Sequence, residues 1–196
     1  SRPAATDARE SRFSHRFETL QQLARDVLAH AEKCGASACE VDVSDGFGQS
    51  VTVRRGEVET IEYNRDKAIA VAVYLGQHKG QASTSDFSPT ALRETVEAAL
   101  NIARFTAADP SAGLPDAGLL AIDSQRLPDL DLYHPWVLAV EAAVDLARRC
   151  ERAAFAVDQR LSNSEGATVS SQEGHFVSAN SLGFIGGYPT SRHYLS

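Results

Sequence analysis

Ala68-Ile69-Ala70-Val71-Ala72-Val73-Tyr74-Leu75 is an apolar run of eight residues in which every second position is β-branched up to Val73. A strand open to water on one side alternates apolar with polar residues, so the unbroken run predicts a central strand covered on both faces. Upstream, Cys39, Val41 and Val43 alternate with Glu40, Asp42 and Ser44. After Asp45-Gly46-Phe47-Gly48 the same period of two resumes at Val51 and Val53. Arg55-Gly56-Glu57 marks a second turn, Asn64-Arg65-Asp66-Lys67 a third, and Gln77-His78-Lys79-Gly80 a fourth that leads into Gln81 to Ser85. Residues 38–85 are therefore expected to form an antiparallel meander of about five strands.

The flanks change period. Phe17, Leu20, Ala24, Val27, Leu28 and Ala31 recur at three- and four-residue steps, which predicts a helix from Ser14 to Cys34 ended by Gly35. Ser88-Pro89 is a helix start, with Ser88 as cap and Pro89 preset in the first turn, and Leu92, Val96, Ala99, Leu100 and Ala103 supply the apolar stripe. Pro110, Pro115 and Pro128 make Asp109 to Tyr133 a long connection. A third helix is expected from His134-Pro135-Trp136 to Ala154, with Val140, Ala143, Val144 and Ala147 on one face. The tail from Arg160 returns to strand-like patches separated by Ser164-Glu165-Gly166, Glu173-Gly174 and Asn180 to Gly183. This order predicts an α+β fold, an antiparallel β-meander sheet packed with about three helices and followed by the start of a second β-rich domain. The expected division is a weakly ordered 1–13, an α+β domain over 14–155, and a strand-rich segment over 156–196. The absence of Met and the ending Tyr194-Leu195-Ser196 lead us to expect a fragment.

Composition narrows the function. A net charge of −7 and a pI near 5.3 oppose a general affinity for nucleic-acid phosphates, which requires clustered Lys and Arg. Arg148-Arg149 with Arg152 suits a solvated helix face. No apolar run approaches the ~20 residues of a membrane span, and Ser1 to Glu10 lacks the apolar core of a secretory signal, so a soluble cytoplasmic protein without membrane contact is expected. Cys34, Cys39 and Cys150 carry no short metal-type spacing and are expected to be reduced. Hydrolytic zinc needs closely spaced ligands, as in H-E-x-x-H. His15, His30, His78, His134, His175 and His193 include no such pair, and no G-x-S-x-G elbow occurs. No residue is read as catalytic and none as a metal ligand. Leu182-Gly183-Phe184-Ile185-Gly186-Gly187-Tyr188 lacks the Lys-Ser/Thr of a phosphate loop, so its glycines are read as permitting tight turns or close backbone approach.

Longer stretches carry a resemblance. Gly56-Glu57-Val58-Glu59-Thr60, Glu62-Tyr63-Asn64-Arg65-Asp66-Lys67, Tyr74-Leu75-Gly76 and Lys79-Gly80-Gln81-Ala82-Ser83-Thr84-Ser85-Asp86 come first. Asp129-Leu130-Asp131-Leu132-Tyr133, Arg160-Leu161-Ser162-Asn163-Ser164-Glu165-Gly166-Ala167 and Ser181-Leu182-Gly183-Phe184 follow, then Gly186-Gly187-Tyr188 and Ser191-Arg192. In this order they resemble the N-terminal portion of the TldD/PmbA family, and its PmbA (TldE) branch in particular. The resemblance implies a heteromeric cytoplasmic protease in which a TldD-type subunit carries zinc and the PmbA-type subunit carries none. It implies as substrates unfolded peptides, microcin-type precursors and antitoxins among them. The partners expected are the TldD-type zinc subunit, the peptide and a second copy of the chain. Asn163, Ser164, Glu165, Gly166, Gly186, Gly187 and Tyr188 are the candidate substrate or partner contacts. A scaffold that only stabilises the zinc subunit is the alternative.

Overall fold

The computed structural model describes residues 12–121 and 128–196. The expectation of weak order at the N-terminus falls, for residues 1–11, outside the described residues, as does the 122–127 part of the long connection.

Helix α1 spans Phe17–Lys33, α2 Pro89–Phe105 and α3 Val140–Phe155, and a short 3-10 turn covers Ala117–Leu119. The strands are β1 Ala38–Arg54, β2 Glu57–Leu75, β3 His78–Thr84, β4 Ala167–Asn180, β5 Ile185–Gly186 and β6 Pro189–Leu195. They hydrogen-bond in the order β3-β2-β1-β4-β5, with β6 also pairing β4, so the described residues form an α+β fold with an antiparallel sheet and three α-helices, as expected.

The expected meander is built differently from the five-strand reading: two long strands, β1 and β2, and the seven-residue β3 replace the five. Gly46 and Gly48 do not turn the chain. A Cβ on Gly46 would stand 3.0 Å from the carbonyl oxygen of Glu173, and one on Gly48 would overlap the side chain of Gln172. Glycine is used here for close approach within β1, the second meaning of a strand glycine. Asn64 to Lys67 is likewise strand, and Glu173-Gly174 lies inside β4. The Arg55-Gly56 turn forms as expected, with φ of +52° and +80°, the two positive angles of a tight hairpin turn.

The helix ends follow local chemistry. Ser88 Oγ accepts from Ala91 N at 3.3 Å, and Gly35 at φ +87° ends α1. The third helix starts later than expected, at Val140. Pro135 disfavours a helical His134, and the His134 carbonyl is already taken by His193 Nε2 at 2.7 Å.

The chain divides into two compact units. The first comprises residues 1–45, 66–130 and 175–188. Its core joins Cys39, Val41 and Val43 of β1, Ile69, Val71 and Val73 of β2 and Val177 of β4 to Leu20, Ala24 and Val27 of α1 and Val96 and Ala99 of α2. β2 pairs β3 in a register that runs from Ile69 opposite Thr84 to Leu75 opposite His78. The central position of the Ala68 run is confirmed, and its cover on both faces holds in its second half, where Val71, Ala72, Val73 and Tyr74 are all buried, but not in its first. Ala68 and Ala70 are exposed, and the run is unbroken because alanine stands where polar residues would otherwise alternate. The second unit comprises 46–65, 131–174 and 189–196. Its core sets Val51 and Val53 of β1 and Ala167 and Val169 of β4 against Ala143 and Ala147 of α3, with Trp136 and Leu138 at the margin.

Candidate functional site

In the second unit the tip of the β1–β2 hairpin is held by three groups of side chains. The buried carboxylate of Glu151 accepts from the backbone N–H of Arg55 at 2.7 Å and of Gly56 at 2.8 Å. Arg148 Nε donates to the Gly56 carbonyl at 2.7 Å. Arg54 Nε donates to the Ser164 carbonyl at 2.9 Å, and Arg55 Nη2 to Asn163 Oδ1 at 3.0 Å. Desolvation alone would raise the Glu151 carboxyl, but the Arg55 and Gly56 N–H groups, the Ser164 hydroxyl and the Arg54 charge together hold it below its ordinary range.

The sequence-based contact residues fall in both units. In the second, Asn163 and Ser164 support the hairpin. Gly166, at φ +105°, leaves room for the Val53 carbonyl, from which a Cβ would be 2.8 Å away; Glu165 is exposed. In the first, Gly186 pairs with Ser178, Gly187 lies against the Phe176 carbonyl where a Cβ would overlap it, and Tyr188 meets the Phe176 ring edge-on at 4.8 Å.

Beyond the tip, β2 presents an edge. β3 begins its pairing at Ile69, so the outer side of β2 upstream of Ile69 faces no strand among the described residues. Glu57 to Tyr63 are all exposed, including Val58 at 40%, Ile61 at 45% and Tyr63 at 68%. Arg54 Nη1 reaches Glu59 at 3.6 Å.

Three polar networks, two of them buried, were not foreseen. In the first unit Asp45 Oδ2 accepts from the His15 backbone N–H at 2.8 Å, lies 3.1 Å from His15 Nδ1 and stands 3.9 Å from His175 Nε2. Phe13 stacks on the His175 ring with centroids 4.0 Å apart. Burial pulls His175 below its ordinary value and outweighs the attraction of Asp45. In the second unit Tyr133 Oη donates to buried Glu173 at 2.6 Å. His193 Nε2 donates to the His134 carbonyl at 2.7 Å, which leaves Nδ1 to accept from Ser171 Oγ at 3.1 Å; this network fastens the extended segment before α3. Pairs so far apart in sequence leave no periodic signal.

Among the described residues no three His, Cys, Asp or Glu side chains stand where they could hold a metal ion together. His15, Asp45 and His175 come nearest, but Asp45 Oδ2 is engaged by the His15 N–H and ring. The chain's residues therefore do not fit a zinc ion at this place. No helix among them is long and apolar enough to cross a membrane.

Comparison with known proteins gives two family matches: the PmbA/TldA metallopeptidase domain 1 over residues 39–103, and the PmbA/TldA metallopeptidase central domain over 133–196. The chain is 47% identical over 169 residues to metalloprotease PmbA of Escherichia coli O157:H7, covering 86% of this chain and 36% of that protein. It is 44% identical over 179 residues to the metalloprotease PmbA homolog of Haemophilus influenzae, covering 91% and 39%. Among solved structures, a Bacteroides thetaiotaomicron protein described as a modulator of DNA gyrase superposes with a TM-score of 0.79 at 20% identity, covering 89% of this chain and 39% of that one. TldE from Thermococcus kodakarensis gives 0.70 at 16%, covering 88% and 38%. The chain thus spans less than two fifths of the length of each of these proteins.

Proposed function

This chain belongs to the PmbA/TldD metallopeptidase family, and from that premise we propose that it is part of the metal-free partner subunit of a TldD/TldE-type zinc protease. In this reading a TldD-type subunit supplies zinc and this chain holds unfolded peptide for it. The observation that carries it is the exposed edge of β2 from Glu57 to Tyr63, where, among the described residues, no strand lies along the side of β2 away from β1. An edge of this kind holds an extended peptide through backbone hydrogen bonds, largely independent of its sequence, which suits a protease acting on unfolded chains. The Glu151, Arg148 and Asn163-Ser164 supports keep the hairpin in place without an ion.

The test is reconstitution. The full-length protein alone is expected to leave an unfolded peptide intact, and mixed with its TldD-type partner it is expected to support cleavage that the partner performs poorly by itself. Cleavage at full rate by the partner alone would overturn the proposal. So would one equivalent of zinc retained by this protein through dialysis against a mild chelator.

A further inference from the structure

We propose that the β2 edge from Glu57 to Tyr63 takes a basic extended peptide segment as an added antiparallel strand, with Glu57 and Glu62 selecting lysine or arginine at two positions of it. The proposal rests on the peptide-holding reading above and names the class of peptide.

Edge strands are ordinarily blunted by proline, a bulge, lysine or a covering segment. Glu57 to Tyr63 contains no proline, glycine or lysine, and all seven residues are exposed. What guards this edge is negative charge. Glutamates repel a second acidic strand and leave the edge open to a basic one. A second copy of this chain, itself at −7, is therefore a poor occupant.

Charge at the edge is unevenly answered. Glu59 has Arg54 at 3.6 Å, whereas Glu57 and Glu62 have no cationic partner among the described residues. Alternation puts Glu57, Glu59, Ile61 and Tyr63 on one face of β2 and Val58, Thr60 and Glu62 on the other. An antiparallel segment sets one side chain opposite each of these. The complementary segment thus has an aromatic residue opposite Tyr63, a basic one opposite Glu62, aliphatic ones opposite Ile61 and Val58, and a second basic one opposite Glu57. Read from its own N-terminus, one such peptide is YKVTSVK. Its two lysines point to opposite faces of the sheet, so each meets its own glutamate.

The experiment titrates the isotope-labelled full chain with acetylated, amidated YKVTSVK and follows the backbone amide resonances. YEVTSVE serves as the charge-reversed control. We expect shifts concentrated at residues 57–63 with YKVTSVK, and binding weaker by about tenfold with YEVTSVE, the combined effect of two cross-strand charge pairs turned repulsive. The double variant Glu57→Lys/Glu62→Lys, changed only at exposed positions, should reverse that order while keeping its melting temperature. Equal affinity of the two peptides would overturn the charge selection. Absence of shifts at 57–63 would overturn the edge assignment, as would shifts there that follow protein concentration without peptide and so report a second copy. The reconstitution assay separates the two readings. Supported cleavage with a silent edge removes this inference and peptide holding at β2 but leaves the partner-subunit role, whereas charge-selective binding without supported cleavage removes only the partner-subunit role.

Discussion

Replacing Glu151 with alanine removes the acceptor for two adjacent N–H groups at the hairpin tip, and the structure lets the cost be worked out. The contacts, 2.7 Å to Arg55 N and 2.8 Å to Gly56 N, are charge-assisted, and the residue is 4% exposed. Hydrogen bonds to a charged group contribute about 1.5 to 3 kcal/mol each, and water replaces part of the loss at a turn, so the lower end for both gives about 3 kcal/mol. Arg55 also holds φ at +52°, an angle disfavoured for a residue with a side chain. At about 2 to 4 °C per kcal/mol for a chain of this size, Glu151→Ala should melt about 6 to 12 °C lower. Glu151→Gln keeps one acceptor and should lose about half as much. Because the folded carboxyl sits below its ordinary 4.5, its contribution is complete above that pH and is lost as pH falls through the folded value. The acid limb of stability should therefore be shallower in Glu151→Gln. Circular-dichroism melts at neutral and acid pH, together with hydrogen exchange at the Arg55 and Gly56 amides, measure all of this. If Glu151→Ala melts with the parent and both amides stay protected, the clamp is not what holds the turn.

Other consequences are shorter to state. Val71→Asp buries a carboxylate among α1 and α2 and should cost several kcal/mol, whereas Ala70→Asp at an exposed position should stay within about 0.5 kcal/mol; equal melting temperatures would contradict this difference in burial. His175 is held below 6.5 in the fold, so the unfolded chain takes up a proton first and stability should fall as pH drops below that value. His175→Leu, which leaves Asp45 and His15 in place, should flatten that slope in melts compared at pH values above and below it. The Cys39 thiol is pushed up to about 12 by burial and, secondarily, by Glu40. A thiol reagent at mildly alkaline pH should modify Cys34 and Cys150 well before Cys39, and mass mapping of the labelled peptides checks the order.

The sequence carried the helices and the hairpin tip because these are set by neighbours. Ser88-Pro89, the Leu20 to Ala31 spacing, Gly35 and Arg55-Gly56 each act within a few residues. It misled where a local signal serves a distant contact. Gly46 and Gly48 read as a turn, yet they exist for the approach of Glu173 and Gln172 from β4. Glu173-Gly174 read as punctuation, yet Glu173 is a buried acceptor for Tyr133. The start of α3 was misplaced because His193 lies 59 residues from the carbonyl it claims. The alanines at 68 and 70 concealed that the face they share with buried Ala72 and Tyr74 is open at that end, since single exposed apolar residues are ordinary.

The same difference between local and distant signals explains why the candidate site was only partly legible. Arg160 to Ala167 carries no local signal of a distant partner, and its Asn163 and Ser164 are expected from sequence to contact substrate or partner. In the folded chain they receive Arg55 and Arg54, residues 108 and 110 positions away, at the base of the strand that begins at Glu57. A side chain that anchors a hairpin tip fixes where the following strand starts, and hence which residues of β2 lie upstream of the β3 pairing at Ile69. In the peptide-holding reading proposed above, Asn163 and Ser164 are positioning residues for the Glu57 to Tyr63 edge. The edge residues from Glu57 carry no local sign of their exposure, because that exposure depends on β3 ending at Thr84, opposite Ile69.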